Sequence, residues 1–492
     1  MTDVIRLGPE LALLIAAGLI VLMDIALPVS REAARTKRAL GFALALAGVA
    51  GSIGWSAVLI AADEQGEAFS GTLVVDDFSL FFNFLLAGIT GMIVLASADL
   101  LARTRFHAEY LALVLASATG MMLMAGAVDL IAIFVALELQ SICLYVLVGF
   151  LKDSRSAEAS LKYLLLGAVS TALTLYGMAY LFGLSGATGL RDIAEFVSAS
   201  GGDSGTRAAL VLATVFLAAG LGFKMAVVPF QMWVPDVYQG APTPVTAYLS
   251  VASKAAGFAV VMRIFLVALG EGLISSDWAT MFAVIAAVSM TAGNLMALVQ
   301  TDIKRMLGYS SIAQAGTFLI GLAAVAAQDP QLLLGASSVV FFLGAYAFTN
   351  LGAFIAVIAI SQKIASDEIA DYAGVAKRSP WLAAGLAACL ISLTGIPPTA
   401  GFIAKVYVFN AAVQADLVWL ALIGVLNGVV SAYYYLRVVL NMYAQEPASE
   451  ETFQPSLSLG VAMAIAVAGM FLIGIYPNPL IQASESAAAV FG

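Results

Sequence analysis

Long apolar segments separated by short polar connections make up almost all of this 492-residue chain. A helix that crosses a bilayer needs about 20 mostly apolar residues. The apolar runs give fourteen candidate spans, near residues 8–28, 39–61, 78–99, 108–126, 129–151, 161–184, 207–228, 245–269, 278–300, 305–327, 332–360, 380–413, 416–443 and 456–476. Only 11% of the residues are charged, too few to cover a water-exposed surface. The sequence therefore predicts an all-α polytopic membrane protein with about 14 transmembrane helices.

Lysine and arginine residues are unequally divided between the two ends of the predicted bundle. Fifteen of them follow spans 1, 3, 5, 9, 11 and 13, whereas the other end holds only Arg6, Arg191 and Arg207. Because basic residues stay on the cytoplasmic side, we expect the first set there and both termini in the periplasm. The first apolar run lacks a basic leader and a small-residue cleavage site, so we expect a retained helix and not a signal peptide.

Proline residues interrupt two of the predicted spans. Span 7 runs into a proline-rich stretch, 229–244, that is too apolar for an ordinary loop, and span 12 is broken at Gly395–Pro398. If spans 4–8 and 9–13 are two sets of five, both breaks fall in the fourth member of their set. Because five helices cross the membrane an odd number of times, the second set starts on the opposite side and is inverted relative to the first. We therefore expect two inverted five-helix repeats with broken helices 7 and 12. The corresponding domains are residues 1–107 (helices 1–3), 108–270 (first repeat), 271–443 (second repeat) and 444–492 (helix 14).

Four ionisable residues lie within or beside these apolar spans. Glu138 is central in span 5 and Lys254 is central in span 8, whereas Lys224 precedes the first proline break and Lys405 follows the second. One such group at the bilayer centre costs about 2.5–3.5 kcal/mol on insertion scales. We expect the four residues to move charge, most naturally protons, across the membrane. The structural alternatives are lysines that extend to the membrane surface and a static ion pair that holds helices together.

Helical spacing places Ser141 and Tyr145 on the same face of span 5 as Glu138. A nearby carboxylate stabilises the charged form of a buried lysine. A Glu138–Lys224 pair whose separation changes would therefore alter the affinity of the lysine for its proton. Unwound backbone carbonyls and water near Pro229 could also solvate a proton carrier at Lys224.

Metal and cofactor sites have few candidate ligands in this sequence. Cys143 and Cys389 lie far apart in apolar stretches, and His107 is the only histidine. This excludes a four-cysteine iron–sulfur site and argues against zinc or bis-histidine haem. We expect no cofactor in this chain and no nucleic-acid partner. His107 is expected on the surface of a basic loop, and Arg263 at a membrane interface.

Four stretches together resemble one protein family. They are ALELQSICLYVL (136–147), FKMAVVPFQMWVPDVYQGAPTPVTAYLSVASKAAGF (223–258), DIKRMLGYSSIAQAG (302–316) and LTGIPPTAGFIAKVYVF (393–409). The sequence is similar to the antiporter-like membrane subunits of proton-pumping NADH–quinone oxidoreductase, respiratory complex I, and more narrowly to their subunit N branch. Subunits L and M and Mrp-type antiporters typically carry a histidine-containing version of the second stretch. Subunit M typically has a glutamate where Lys405 stands.

The resemblance implies roles for individual residues. Glu138 would modulate Lys224, Lys254 would be the central lysine, and Lys405 would be the terminal lysine of a proton route toward the outside. Gln314 stands where many relatives have a histidine. Glutamine can support a water chain but cannot carry a proton as an imidazolium does, so any relay through this position would need water.

The resemblance also implies a setting. The chain would be a translocase subunit in the bacterial inner membrane, coupling NADH-to-quinone electron transport in other subunits to proton transport. FMN and iron–sulfur clusters are expected in those partner subunits. The expected neighbours are subunit M, small subunits such as K and J, the peripheral redox arm and the lipid bilayer. Two alternatives are open: an Mrp-type cation/proton antiporter subunit, and a scaffold whose buried charges only specify helix packing.

Overall fold

The computed structural model describes residues 2–28, 31–200, 204–270, 274–325, 333–447 and 449–492. Nearly all of these residues are helical. Four predicted positions lie outside the described residues: the domain start at residue 1, the domain boundary at 271, the end of span 10 at 327 and the start of span 11 at 332.

Thirteen described helices are long and apolar enough to cross a membrane. The first six are α2 (Gly8–Ala26), α3 (Arg31–Ala61), α4 (Asp77–Ala96), α6 (His107–Gly126), α7 (Leu130–Val148) and α8 (Ser154–Ser185). The others are α10 (Ser204–Met225), the segment Thr243–Ala268, α14 (Ser275–Leu298), α15 (Ile303–Val325), α16 (Leu334–Ile364), α20 (Val418–Ala444) and α21 (Leu457–Ile475). Three short helices accompany the first six: α1 (Thr2–Arg6) precedes α2, α5 (Ala98–Arg103) follows α4, and α9 (Leu190–Ala199) follows α8. The prediction of a polytopic all-α membrane protein is confirmed.

Both predicted breaks are present. Span 7 ends with α10, and the chain resumes as the seven-residue helix α11 (Val234–Gly240). Span 12 is a pair of 15-residue helices, α18 (Pro380–Thr394) and α19 (Ala400–Gln414), each too short to cross alone. With this pair added to the thirteen long helices, all fourteen predicted spans are present. The two sets of five therefore share a broken fourth member, and the second set is inverted.

Span 8 has an irregular backbone that the sequence did not predict. It consists of α12 (Thr243–Tyr248), a π-helical turn (Leu249–Ser253), α13 (Lys254–Met262) and a second π-helical turn (Arg263–Ala268). Single π-turns within α-helices often occur at functional sites. One of them ends immediately before Lys254.

Small elements in the connections were also missed. They are an antiparallel hairpin of β1 (Gly66–Ala68) and β2 (Leu73–Val75), the helices α9, α17 (Val375–Arg378) and α22 (Asn478–Ala488), and the 3₁₀ turns Ile369–Tyr372 and Ala489–Phe491. Most span only a few residues, but in α9 the buried residues Leu190, Ile193 and Val197 do recur at helical spacing.

Acidic side chains fix the starts of three spans. Asp76 accepts a hydrogen bond from the backbone of Ser79 at 2.9 Å, and Asp129 accepts one from Ile131 at 2.8 Å. Asp153 accepts one from Ser156 at 2.7 Å. Each carboxylate satisfies an N–H group that the first helical turn leaves free, so these residues set where α4, α7 and α8 begin.

Spans 8, 10 and 11 lie at the centre of the bundle. The protein buries 94%, 89% and 94% of their most apolar windows, compared with 33% for spans 1 and 13. Side chains in the middle of these three spans therefore contact protein and not lipid. The connections that follow the odd-numbered spans carry most of the lysine and arginine residues. The end of the bundle where they lie is called the basic end below.

Candidate functional site

Lys254 lies at the centre of the bundle and is 1% exposed. Its Nζ donates hydrogen bonds to the Ser311 hydroxyl at 2.6 Å and the Ser311 carbonyl at 2.5 Å. The Tyr346 hydroxyl donates to the same Ser311 Oγ at 3.1 Å. Among the described residues, no carboxylate oxygen lies within 4.0 Å of this amine. Hydroxyl and carbonyl oxygens can hold the ammonium, and a hydroxyl can also donate to the neutral amine, so the contact persists when the proton leaves.

Lys224 occupies the last turn of α10 and is 4% exposed. Its Nζ donates to the Ser141 hydroxyl at 2.6 Å, and that hydroxyl donates to the Leu137 carbonyl at 2.5 Å. The amine also lies 5.9 Å from the centre of the Tyr145 ring. The predicted face of span 5 therefore does meet Lys224. Among the described residues the amine of Lys224 hydrogen-bonds to Ser141 and to no backbone carbonyl of the break.

Glu138 is half-buried between α7 and α8. Its carboxylate accepts a hydrogen bond from Thr171 Oγ1 at 2.7 Å. In the described part of the chain, no nitrogen–oxygen distance within 4.0 Å joins Glu138 to Lys224. The carboxylate and the amine are therefore not in direct contact in this structure, and Ser141, one turn after Glu138, holds the lysine.

Lys405 projects from α19 onto the end of α18. Its Nζ donates to the carbonyls of Leu393 at 2.9 Å and Thr394 at 2.8 Å. The last carbonyls of a helix lack intrahelical partners and carry partial negative charge, so they stabilise a cation. Gly395 adopts a φ of +91°, and a Cβ there would lie 2.8 Å from Lys405 Cδ. Only glycine therefore lets the lysine reach these carbonyls without displacement.

Gln314 lies between Lys254 and Lys405. Its Nε2 donates at 3.1 Å to the Leu393 carbonyl, which also accepts from Lys405. Its Oε1 is buried without a partner among the described residues. A cavity of about 10 Å³ adjoins it, roughly enough for one water molecule. The lining residues are Gln314, Phe342, Tyr346, Thr349, Ser392, Leu393, Gly401 and Lys405. Since Tyr346 also contacts Ser311, a single water would nearly complete a polar connection from Lys254 to Lys405.

A cluster of aromatic side chains packs beside Lys224. The Tyr145 and Tyr163 rings are 4.9 Å apart, and Tyr163 stacks on Trp233 at 4.6 Å. The hydroxyls of Tyr145, Tyr163 and Tyr238 are buried and have no hydrogen-bond partner among the described residues. Buried polar atoms of this kind are commonly satisfied by water. Gly257, one turn after Lys254, packs against Lys224, since a Cβ there would lie 3.2 Å from Lys224 Cβ.

Sequence reasoning missed several members of this site. Ser311 and Tyr346 hold Lys254, and Tyr163 and Tyr238 belong to the aromatic cluster that packs beside Lys224. Ser311 stands in a quoted family stretch, which was the only signal for it. Tyr346 is a single hydroxyl in an apolar span, and nothing in the sequence marked it.

One residue was placed wrongly by the sequence interpretation. His107 was expected on the surface but is 6% exposed, and its Nε2 lies 3.8 Å from Asp24. Arg263, expected at a membrane interface, is 3% exposed and pairs with Asp76 at 2.7 Å. Asp76 comes from a distant part of the sequence and compensates the Arg263 charge, whereas His107 Nε2 has no hydrogen-bond partner among the described residues.

Within the described residues, no group of three histidine, cysteine, aspartate or glutamate side chains is arranged to hold a metal ion. Cys143 and Cys389 are free and buried.

Comparisons with known proteins agree with this architecture. Residues 127–431 match the family described as NADH:quinone oxidoreductase/Mrp antiporter, TM. The chain is 43% identical over 484 residues to a NADH-quinone oxidoreductase subunit N of Dehalococcoides mccartyi, covering 97% of this chain and 98% of the relative. A chain of respiratory complex I from Thermus thermophilus superposes with a TM-score of 0.79 at 30% identity, covering 96% and 98%. A chain of the Mrp complex from Dietzia sp. shares the fold, with a TM-score of 0.82 at 20% identity, covering 99% and 97%. The chain therefore belongs to the NADH-quinone oxidoreductase subunit N family.

Proposed function

We propose that this chain is a proton-translocating membrane-arm subunit of NADH–quinone oxidoreductase. The observation that carries the proposal is the series of Lys224 and Lys254, both buried, and Lys405, half-buried, each held by neutral oxygens. Buried, unpaired lysines are expensive in a membrane protein and usually functional. Family membership adds the setting, a complex in which electron transfer to quinone drives proton movement.

The contacts suggest an order of events. Electron transfer elsewhere in the complex changes the charge or position of Glu138, which shares a helix with Ser141 and so acts on Lys224. Lys224 exchanges a proton with Lys254 through water held by the Tyr145, Tyr163 and Tyr238 hydroxyls. Lys254 passes it through Ser311 and the water-sized cavity beside Gln314 to Lys405. Lys405 then releases it to the opposite side.

Proton uptake is assigned to the basic end, which we place in the cytoplasm, with both termini in the periplasm. A cavity of about 270 Å³ opens there beside Pro242, Pro244 and Lys304. Ser250, one turn before Lys254, accepts a hydrogen bond from Asn350 Nδ2 at 2.8 Å, and Asn350 Oδ1 is buried without a partner among the described residues. At 1.5 Å per residue, Pro244 and Lys254 are about 15 Å apart along the helix.

The half-buried position of Glu138 favours a partner on that side of the chain. Exposed apolar residues flank it on α7, including Val135 (60% exposed) and Ile142 (58%). We propose that a neighbouring membrane subunit, one of the small subunits K or J, covers this face, and that subunit M lies beyond Lys405. FMN and iron–sulfur clusters belong to the peripheral arm under this proposal, and the membrane is the bacterial inner membrane. The four-part domain division, 1–107, 108–270, 271–443 and 444–492, is proposed on the same basis.

One observation favours a second candidate, an Mrp-type cation/proton antiporter subunit. The matched family description covers both classes, and the Mrp chain shares the fold. This function predicts Na⁺-dependent proton exchange in vesicles without NADH.

Isolation of the native complex tests the proposal. The chain is tagged and extracted in mild detergent, and the material is assayed for NADH–quinone activity and for flavin and iron–sulfur absorbance. We expect both. A colourless complex that exchanges Na⁺ for protons, obtained from membranes whose NADH oxidation activity is fully recovered in other fractions, would instead support the antiporter.

Replacement of Gln314 tests the last leg of the route. Gln314→Leu removes the amide beside the cavity, and a lost hydrogen bond of about 1 kcal/mol predicts a roughly fivefold loss of proton pumping per assembled complex. Gln314→His restores a polar group of the kind found in relatives and should retain most of the activity. Pumping is measured as NADH-driven acidification of inverted vesicles. Equal activity of the leucine variant and the unchanged protein would remove Gln314 from the route.

A further inference from the structure

A network of charges at the basic end surrounds α11, the short helix after the first break. Asp236 on α11 pairs with Lys162 of α8 at 2.8 Å through one carboxylate oxygen and with Arg305 of α15 at 2.8 Å through the other. Arg305 also donates to Gln239 at 3.1 Å, and Gln239 donates to Asp302 at 2.9 Å. The two cations that hold Asp236 come from different repeats, because α8 belongs to the first and α15 to the second.

The inner side of the same helix contacts the lysine site. Trp233, the residue before α11, donates from Nε1 to the Phe223 carbonyl at 3.1 Å. Phe223 immediately precedes Lys224. Trp233 also stacks on Tyr163 at 4.6 Å, next to Lys162 in sequence, and Tyr163 packs edge-on against Tyr145. A displacement of α11 would therefore move the backbone that carries Lys224 and the ring beside its amine.

We propose that Asp236 is a positioning residue for proton transfer: its two ion pairs fix α11 between the repeats, and α11 holds Lys224 against Ser141 through Trp233. The inference rests on the proposed function, since it assigns a role in that reaction. Asp236 itself carries no proton in this scheme. The side chains of Lys162, Asp236 and Arg305 are 43%, 39% and 26% exposed, so their replacement leaves no charge stranded in the interior.

Neutralisation of Asp236 in the whole complex is the first test. With Asp236→Asn, we expect NADH-driven proton pumping per assembled complex to fall about three- to tenfold, as for the loss of a hydrogen bond that orients a reacting group. Asp236→Glu keeps both pairs possible and should recover at least half of the loss. Glu446→Gln is the matched control, because it breaks the ion pair with Lys377 on the same side of the bundle, where both side chains are largely exposed. It should leave pumping unchanged.

A double-mutant cycle separates positioning through Trp233 from a general loss of stability. Trp233→Phe keeps a ring but removes the donor to the Phe223 carbonyl. If Asp236 acts through that bond, Asp236→Asn has little further effect in the Trp233→Phe background. The inference would be overturned if the Asp236→Asn and Trp233→Phe effects on pumping multiplied independently. It would also be overturned if Asp236→Glu pumped no better than Asp236→Asn. If Asp236→Asn does not assemble, Lys162→Met and Arg305→Met each remove one pair and enter the same cycle. Failure of all three to assemble would make the network purely structural and would also overturn it.

Lys254→Ala, measured in the same vesicles, keeps the two hypotheses distinct. Unchanged pumping in that variant would reject the proposed function. Loss of pumping in Lys254→Ala together with multiplying effects at Asp236 and Trp233 would reject only the positioning role.

Discussion

Lys254→Ala should abolish most proton pumping while leaving assembly intact. The variant removes the amine that Ser311 and Tyr346 surround, and no second lysine or arginine within the described residues hydrogen-bonds to Ser311. Positioned proton-transfer groups contribute about 10²–10⁴-fold to the reactions they serve, so we expect at least a tenfold loss of NADH-driven pumping. Assembly should not suffer, because the substitution removes an expensive buried charge from the middle of the membrane.

Two further lysine variants sharpen this test. Lys254→Arg keeps a cation but cannot release its proton, so it should also stop pumping if proton exchange, and not charge alone, is required. Lys363→Ala alters an exposed lysine at the basic end of α16 and should behave like the unchanged protein. Proton uptake and electron transfer are measured together in inverted vesicles, normalised to assembled complex. An undiminished proton-to-electron ratio in Lys254→Ala would contradict the proposed role.

Sequence patterns located the four candidate residues because charge within an apolar run is a strong signal. Lys254 and Lys405 were expected inside spans 8 and 12, and both are there. The break before Lys405 was also predictable, since prolines at 397 and 398 cannot continue a helix. The break also leaves the Leu393 and Thr394 carbonyls free to accept from the lysine.

The partners of these residues could not be predicted, because they come from other spans. Ser311 lies 57 residues from Lys254, and Ser141 lies 83 residues from Lys224. The partner of Glu138 was unpredictable for the same reason. Helical periodicity gives the face of α7 that carries Glu138 but not how α8 packs on it, and Thr171 of α8 takes the carboxylate. Composition also gave no sign of the π-turns in span 8.

Arg263→Ala should destabilise the complex more than the loss of any surface ion pair in this chain. Arg263 donates to Asp76 Oδ1 at 2.7 Å and to the Ala125 carbonyl at 2.9 Å. Its guanidinium also lies 4.7 Å from the centre of the Phe78 ring. Removal of one partner of a buried pair costs about 3–5 kcal/mol, since the remaining charge is left without compensation. The pair joins span 8 to the start of span 3, so its loss should loosen the contact between them.

Heating the detergent-extracted complex measures this effect as the fraction that remains assembled at each temperature. Arg191→Ala is the matched control. It breaks the ion pair between Arg191 and Glu67, whose side chains are 79% and 57% exposed. Exposed ion pairs contribute little to stability. Similar heat resistance of Arg263→Ala and Arg191→Ala would show that the buried pair is not important for stability.

A double variant tests whether the uncompensated charge is the cause. Asp76 also begins α4 by accepting from the Ser79 backbone, so its replacement must keep that contact. Asp76→Asn does so, because asparagine is an equally good N-cap, but it removes the negative charge. Arg263→Ala combined with Asp76→Asn should therefore be more heat-resistant than Arg263→Ala alone. If the double variant is instead less stable, the lost contacts of the guanidinium with the Phe78 ring and the Ala125 carbonyl, and not the stranded carboxylate, account for the effect.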